Sequence, residues 1–193
     1  YAVLIVFALI VLVPMFNMLA ISLKSNDEFM ISPSGLPRSM RFENYAEAWQ
    51  EGNFVRYGLN SILVTGGTIL LTIPLAAMAG YSLAKHRFAA NRLVNNYFIL
   101  GLIVPVQILV IPLFKVVKTL HLYNSLVGLV VLFTTFSLPL AIIIYRSFFI
   151  TVPLELEQAA KIDGCGPMGG FWRIMFPLAL TTTSIIVIVD GMS

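Results

Sequence analysis

Four stretches of this chain run for the length of a membrane crossing with almost no charge in them: residues 1–23, 58–84, 93–114 and 124–150. A fifth apolar run begins near Pro177 and continues to Ser193. A helix that crosses the hydrocarbon of a bilayer needs roughly 20 mostly apolar residues. Only a helix or a closed barrel satisfies its backbone polar groups there without water. Polar segments with turn formers separate the runs, so the pattern predicts an all-α membrane protein, a polytopic transmembrane helix bundle with about five spans. Composition agrees. Of the 193 residues, 59% are hydrophobic and 11% charged, whereas soluble domains carry about 25% charged residues. So little charge cannot coat a water-soluble globule of this size.

Several function classes fall away at once. A net charge of +3 with no long basic run gives no nucleic-acid signature. The one cysteine, Cys165, permits neither a disulfide framework nor a multi-cysteine metal site. No catalytic or metal-ligating residues are expected. His86 and His121 sit at span ends with no carboxylate or nucleophile beside them, and there is no Gly-rich phosphate loop followed by Lys-Ser/Thr. The first run is too long for a signal-peptide core and lacks a cleavage pattern, so it reads as a span. It starts without a polar leader, and the last run ends abruptly in "DGMS". The chain is expected to be a single transmembrane domain over 1–193, truncated at its C-terminus.

The polar segments set the orientation. Six Lys and Arg residues fall on each side of the membrane, but Lys85, Arg87 and Arg92 crowd one short loop. Density therefore assigns that side to the cytoplasm and makes residues 24–56 an external loop. Within it, "ENYAEAWQEG" predicts a short amphipathic helix, with Tyr45 and Trp49 placed as interfacial anchors. Polar residues inside or at the ends of spans (Asn17, Asn60, Gln107 and Asn124) are candidates for a substrate path, because buried polar groups need partners. Capping or interhelical bonding is the plain alternative for each. Gln107 is the strongest, lying beside Pro105, and the span 93–114 is expected to break at Pro105 and Pro112.

The least expected segment is "ELEQAAKIDGCG", residues 155–166, a polar helix between two apolar runs. Pro153 suits a first helical turn, and Glu155 and Glu157 face the positive end of the helix dipole. Glu157 and Lys161 have the favoured i, i+4 order, and Gly164 and Gly166 offer the positive φ that ends a helix. The segment reads first as a loop helix joining two spans. Its length argues for more, because connections in helical bundles usually run about 2–8 residues. The connection here occupies residues 151–176, and its small side chains let another protein approach closely.

The sequence "PLELEQAAKIDGCGPMGGFWRIMFPL" resembles the EAA loop of permease subunits of binding-protein-dependent ABC importers. That pattern is Glu-Ala-Ala, three residues, Gly, nine residues, Ile, one residue, Leu-Pro. Ala159, Ala160, Gly164, Ile174 and Pro177 match it, while Gln158 stands for Glu and Phe176 for Leu. The blocks "SGLPRSMRFENYAEAW", "LNSILVT", "AGYSLAKHRF", "VPVQILVIPLF" and "LPLAIIIYRSFFITVP" resemble the carbohydrate-importing branch, in particular the maltose-transporter G-type permease. The likeness covers about residues 22–180.

The resemblance implies a multi-pass plasma (inner) membrane protein, with about six spans in a complete subunit. It implies that the 151–176 loop is cytoplasmic and couples to an ABC ATPase dimer through Glu155, Glu157, Gln158, Ala159, Ala160, Asp163, Gly164, Ile174 and Pro177. A second permease subunit and an extracytoplasmic solute-binding protein would complete the transporter in the lipid bilayer. The chain would bind no cofactor and be no enzyme itself, ATP being used by the partner. A sugar or related polyol would be the cargo. Two other readings stand beside this one. A non-functional permease fragment would explain the abrupt end. A self-sufficient secondary carrier would need an intramembrane acid cluster, and Asp190 is the only carboxylate in a span.

Overall fold

The computed structural model describes residues 1–162 and 164–192. In chain order the helices are α1 (Ala2–Ser22), α2 (Asn26–Ile31), α3 (Glu43–Glu51), α4 (Phe54–Lys85), α5 (Asn91–Ile103), α6 (Val106–Thr119) and α7 (Leu126–Thr151). Then come α8 (Leu154–Ile162), α9 (Pro167–Gly170), a π-helical turn (Phe171–Met175), α10 (Phe176–Leu178) and α11 (Leu180–Gly191). Three helices, α1, α4 and α7, are each long and apolar enough to cross a membrane, and the bent pairs α5–α6 and α9–α10 with α11 bring the number to five. The chain forms two compact units, Tyr1–Leu59 and Asn60–Ser193.

In the first unit, α1 keeps Pro14 inside a continuous helix. At its C-terminal end, helical carbonyls lack intrahelical donors, and the following segment supplies them. Asn44 Nδ2 donates to the carbonyls of Ser22 (2.9 Å) and Lys24 (2.8 Å), and the Arg41 N–H donates to that of Leu23 (2.9 Å). Lys24 is itself buried, its ammonium donating to the Ser32 carbonyl at 2.7 Å. The segment is therefore folded back on α1, with α2 capped by Ser25 Oγ, which accepts from the Glu28 N–H. The amphipathic helix expected over 43–52 is α3. Its Tyr45 hydroxyl shares a 2.6 Å hydrogen bond with Ser22 Oγ, and Trp49 stacks on Phe54.

In the second unit, α4 and α7 run parallel. A methyl at Gly67 would lie 3.0 Å from Val130 Cγ2, and one at Gly80 would lie 2.7 Å from Tyr145 Cβ and 2.8 Å from the Arg146 nitrogen. Contact numbers rise together along both helices. Two parallel spans require the intervening chain to return to the side it left, which is the work of α5 and α6. The face of α4 that meets α7 carries Val64, Thr68, Thr72, Ala76 and Gly80, all buried and four residues apart. Small side chains at that spacing let two helices pack backbone to backbone. Below this seam Tyr81, Ile142, Tyr145 and Phe149 form the core with Phe171, Met175 and Ile186. The Tyr145 hydroxyl bonds Thr183 Oγ1 at 2.7 Å, joining α7 to α11.

One expectation needs correction. Of Pro105 and Pro112, only Pro105 breaks the span. Val104 before it is extended (φ −75°, ψ 118°), the conformation that proline imposes on its predecessor. Pro105 then caps α6, and the chain turns by 105°. Pro112 lies inside α6, where the helix absorbs the loss of one backbone donor. The fifth apolar run is also broken, by 72° at Ala179 between α10 and α11.

Candidate functional site

The loop between α7 and α11 is a folded unit of its own. α8 forms where Glu155 and Glu157 occupy the first turn and Lys161 the last, the charge order that a helix dipole favours. It ends in a Schellman motif. Gly164 has φ +76°, its N–H bonds the Lys161 carbonyl at 3.1 Å, and the Cys165 N–H bonds that of Ala160 at 2.9 Å. Gly166 does not share the positive φ expected of it. It is extended (φ −65°, ψ 168°) and precedes Pro167, the first residue of α9.

The two faces of α8 differ sharply. Glu157 and Ala160 are buried, one turn apart. Lys161 Nζ donates to Glu157 Oε1 at 2.9 Å. A methyl at Gly170 would lie 3.6 Å from Ala160 Cβ, so α9 packs directly over that alanine. Glu155, Gln158 and Ala159 are exposed, and Ile162 is 86% exposed. The position where the EAA pattern has its glutamate, Gln158, thus points outward, and the charge held inside belongs to its neighbour Glu157. Ile174 is half-buried in the π-helical turn and Pro177 is exposed in α10. Asp163 lies outside the described residues.

Beneath α8 a hollow of about 80 Å³ is lined by Tyr81, His86, Glu157, Lys161, Cys165 and Pro167 among others. Tyr81 and Lys85 come from the end of α4 and were missed in the sequence. Their spacing, i and i+4 at the end of a span, is the signal that would have found them. The Lys85 ammonium donates to the carbonyl of Val152, between α7 and α8. No group of three or more His, Cys, Asp or Glu residues is placed to hold a metal ion among the described residues.

The profile of the binding-protein-dependent transport system inner membrane component family matches residues 72–192. The chain belongs to that family. The match takes in the second half of α4, all of α5–α7 and the whole 151–176 loop. Two relatives of this permease are a diacetylchitobiose uptake system permease protein of Streptomyces coelicolor and a trehalose transport system permease protein of Mycobacterium tuberculosis. The first is 38% identical over 179 residues, covering 93% of this chain and 59% of its own. The second is 34% identical over 157 residues, covering 80% and 57%. The chain therefore spans less than three fifths of the length of either. Its fold matches that of a bacterial ABC transporter involved in import of the acidic polysaccharide alginate. The TM-score is 0.83 at 23% identity, over 100% of this chain and 68% of that one. The permease is accordingly a multi-pass membrane protein.

The substrate-path candidates do not converge. Asn60 is half-buried in α4, and Asn124 is exposed in the turn before α7 with φ +53°. Gln107 is exposed in the first turn of α6, beside the bend. Asn17 is in the first unit, in a groove with Pro14 and residues 34–36.

Proposed function

We propose that this permease is the membrane-embedded subunit of an ATP-driven importer for an oligosaccharide or related polyol. It docks through the 155–174 loop onto a cytoplasmic ATPase. The observation that carries the reading is the two-faced α8. Its inner face buries Glu157 and packs Ala160 against Gly170 of α9, and its outer face presents Glu155, Gln158, Ala159 and Ile162 exposed among the described residues. Such a helix is rigidly mounted yet unpartnered, which is what a lever needs. The sugars in the relatives' names support the cargo class, and the EAA-like pattern supports the ATPase as occupant of the outer face.

In this reading the chain performs no chemistry and binds no cofactor. ATP is consumed in the ATPase dimer, and a second permease subunit and a solute-binding protein complete the assembly. The bent pair α5–α6 brings Gln107 and the unpaired backbone of a helix start to one corner, the kind of irregular backbone that membranes tolerate only beside protein or water. Gln107 is therefore the first candidate for contact with the cargo, ahead of Asn60 and Asn124. The test is co-purification of the ATPase from cells expressing the whole transporter. Gly164→Asp adds a Cβ at φ +76° and a charge at the exposed end of α8, straining the Schellman turn on which the docking face depends, so the ATPase should be lost. Retention of a full complement of ATPase would overturn the docking site.

A further inference from the structure

We propose that the Tyr145 hydroxyl of α7 is a positioning group that sets the corner by which the 151–176 loop is joined to α11. The inference rests on the coupling role given to that loop above. The loop ends in the π-helical turn and runs through α10 to a bend of 72° before α11. Part of this bend is local. Pro177 has no N–H for the carbonyl of Arg173, four residues back, and its ring would crowd that oxygen in an α-helix. The turn before it takes the wider π form. Ala179 then sits near the bridge region (φ −86°, ψ 8°), and its N–H bonds the Phe176 carbonyl, three residues back, at 3.0 Å.

The rest comes from α7. Thr183 donates twice to the Ala179 carbonyl, from its N–H at 2.8 Å and from Oγ1 at 3.0 Å. A threonine hydroxyl has one proton. With that proton on the Ala179 carbonyl, the tyrosine is the donor in the 2.7 Å bond between Tyr145 and Thr183. The result is a directed chain, Tyr145 O–H to Thr183 Oγ1–H to Ala179 C=O, that ends at the corner itself. A threonine bonded back to the carbonyl four residues earlier bends its helix, and here Tyr145 holds it in the rotamer that does so. The tyrosine cannot turn away. Tyr145 and Ala179 are fully buried, in one core with Phe149, Met175 and Ile186. Its ring stacks on that of Phe149, with centroids 6.1 Å apart, and its Cβ lies against Gly80 of α4. Ser184, the next residue of α11, makes the same back-bond to Leu180 at 3.0 Å but is exposed. α7 enters the loop at Thr151, so the chain of hydroxyls ties the span before the loop to the span after it. A displacement of the loop then carries α7 and α11 in step.

The experiment uses the transporter assembled with its ATPase in lipid discs, with Cys165→Ser as background. Spin labels at two exposed positions away from the docking face, Val127→Cys of α7 and Ile188→Cys of α11, report the separation of the two helices. With the hydroxyl chain intact, the distance distribution should be narrow and unmoved by ATP with vanadate. Tyr145→Phe keeps the ring and removes only the hydroxyl. It should broaden the distribution without nucleotide and let nucleotide shift its centre. Thr183→Val should behave alike, and the double variant no worse than either, because both break one chain. Thr183→Ser keeps the hydroxyl and should match the parent. Ser184→Ala removes a back-bond that is not part of the chain, and should match the parent too. A nucleotide-driven shift in the parent overturns the proposal. So does a Tyr145→Phe distribution as narrow and fixed as the parent's, or an equal broadening by Ser184→Ala. Failure of the coupling reading shows separately, as retention of the ATPase by Gly164→Asp.

Discussion

Lys85, the last residue of α4, donates its ammonium to the backbone carbonyl of Val152, the residue that follows α7. A residue counted for topology as a loop charge is thus a cap on another helix. Val152 is buried, so its carbonyl depends on this donor. Lys85→Met should destabilise the permease by about 1–3 kcal/mol, the cost of stranding a buried acceptor. Lys85→Arg should restore part of it. Thermal unfolding in detergent, followed by loss of monodisperse protein, measures both.

The α4–α7 seam predicts a sharp contrast between two glycines of one helix. A methyl at Gly80 collides with Tyr145 and Arg146 backbone or Cβ atoms, whereas one at Gly66 meets nothing within 4 Å. Gly80→Ala should cost about 1–3 kcal/mol through overpacking. Gly66→Ala should be neutral or slightly stabilising, since alanine is the better helix former. Equal melting temperatures for the two variants would contradict the close crossing.

Thr68, Thr72 and Thr134 are buried on α4 and α7, and their hydroxyls have no partner among the described residues. Thr119, Thr135 and Thr183, by contrast, bond back to the carbonyl four residues earlier. Thr72→Val keeps the shape and removes the stranded hydroxyl. The melting temperature should hold or rise, because an unmade buried hydrogen bond costs about 1–3 kcal/mol. A clear fall would mean that the hydroxyl is satisfied in the membrane by a bound water or a neighbouring subunit.

The outer face of α8 can be tested without disturbing its mounting. Ile162→Asp changes an exposed side chain, so the isolated subunit should melt as before. ATPase affinity should fall by about tenfold or more, the usual cost of removing an apolar anchor from a docked surface. Ala160→Asp is the converse, placing a charge under α9, and should lower the melting temperature as well as the affinity.

Much of this was legible in the sequence, for physical reasons. Apolar runs of span length have few alternatives, so α1, α4 and α7 follow from hydropathy, and the α8 turn follows from Gly164. Local rules stop where a neighbour decides. Pro105 and Pro112 look alike in sequence, yet only one breaks a helix. Glu157 and Gln158 are adjacent polar residues, and which one turns inward depends on the face of α8 that α9 covers. The stripe Val64, Thr68, Thr72, Ala76 and Gly80 was readable by its four-residue spacing, but its threonines masked it as ordinary polar residues of a span. Lys24 follows a span directly, and no local pattern indicates that it is buried against the Ser32 carbonyl.

The corner at Pro105 carries a consequence for the life of the subunit before assembly. Gly101 packs against Pro139, near the midpoint of α7, so the corner lies level with the middle of that span. The last carbonyls of α5 and first N–H groups of α6 meet there without helical partners. Lipid tails offer them nothing. Such a corner is stable in a membrane only where protein or a water-filled path lies against it. If the second permease subunit proposed above is what lies there, the amount of this subunit in the cell should follow the supply of that partner.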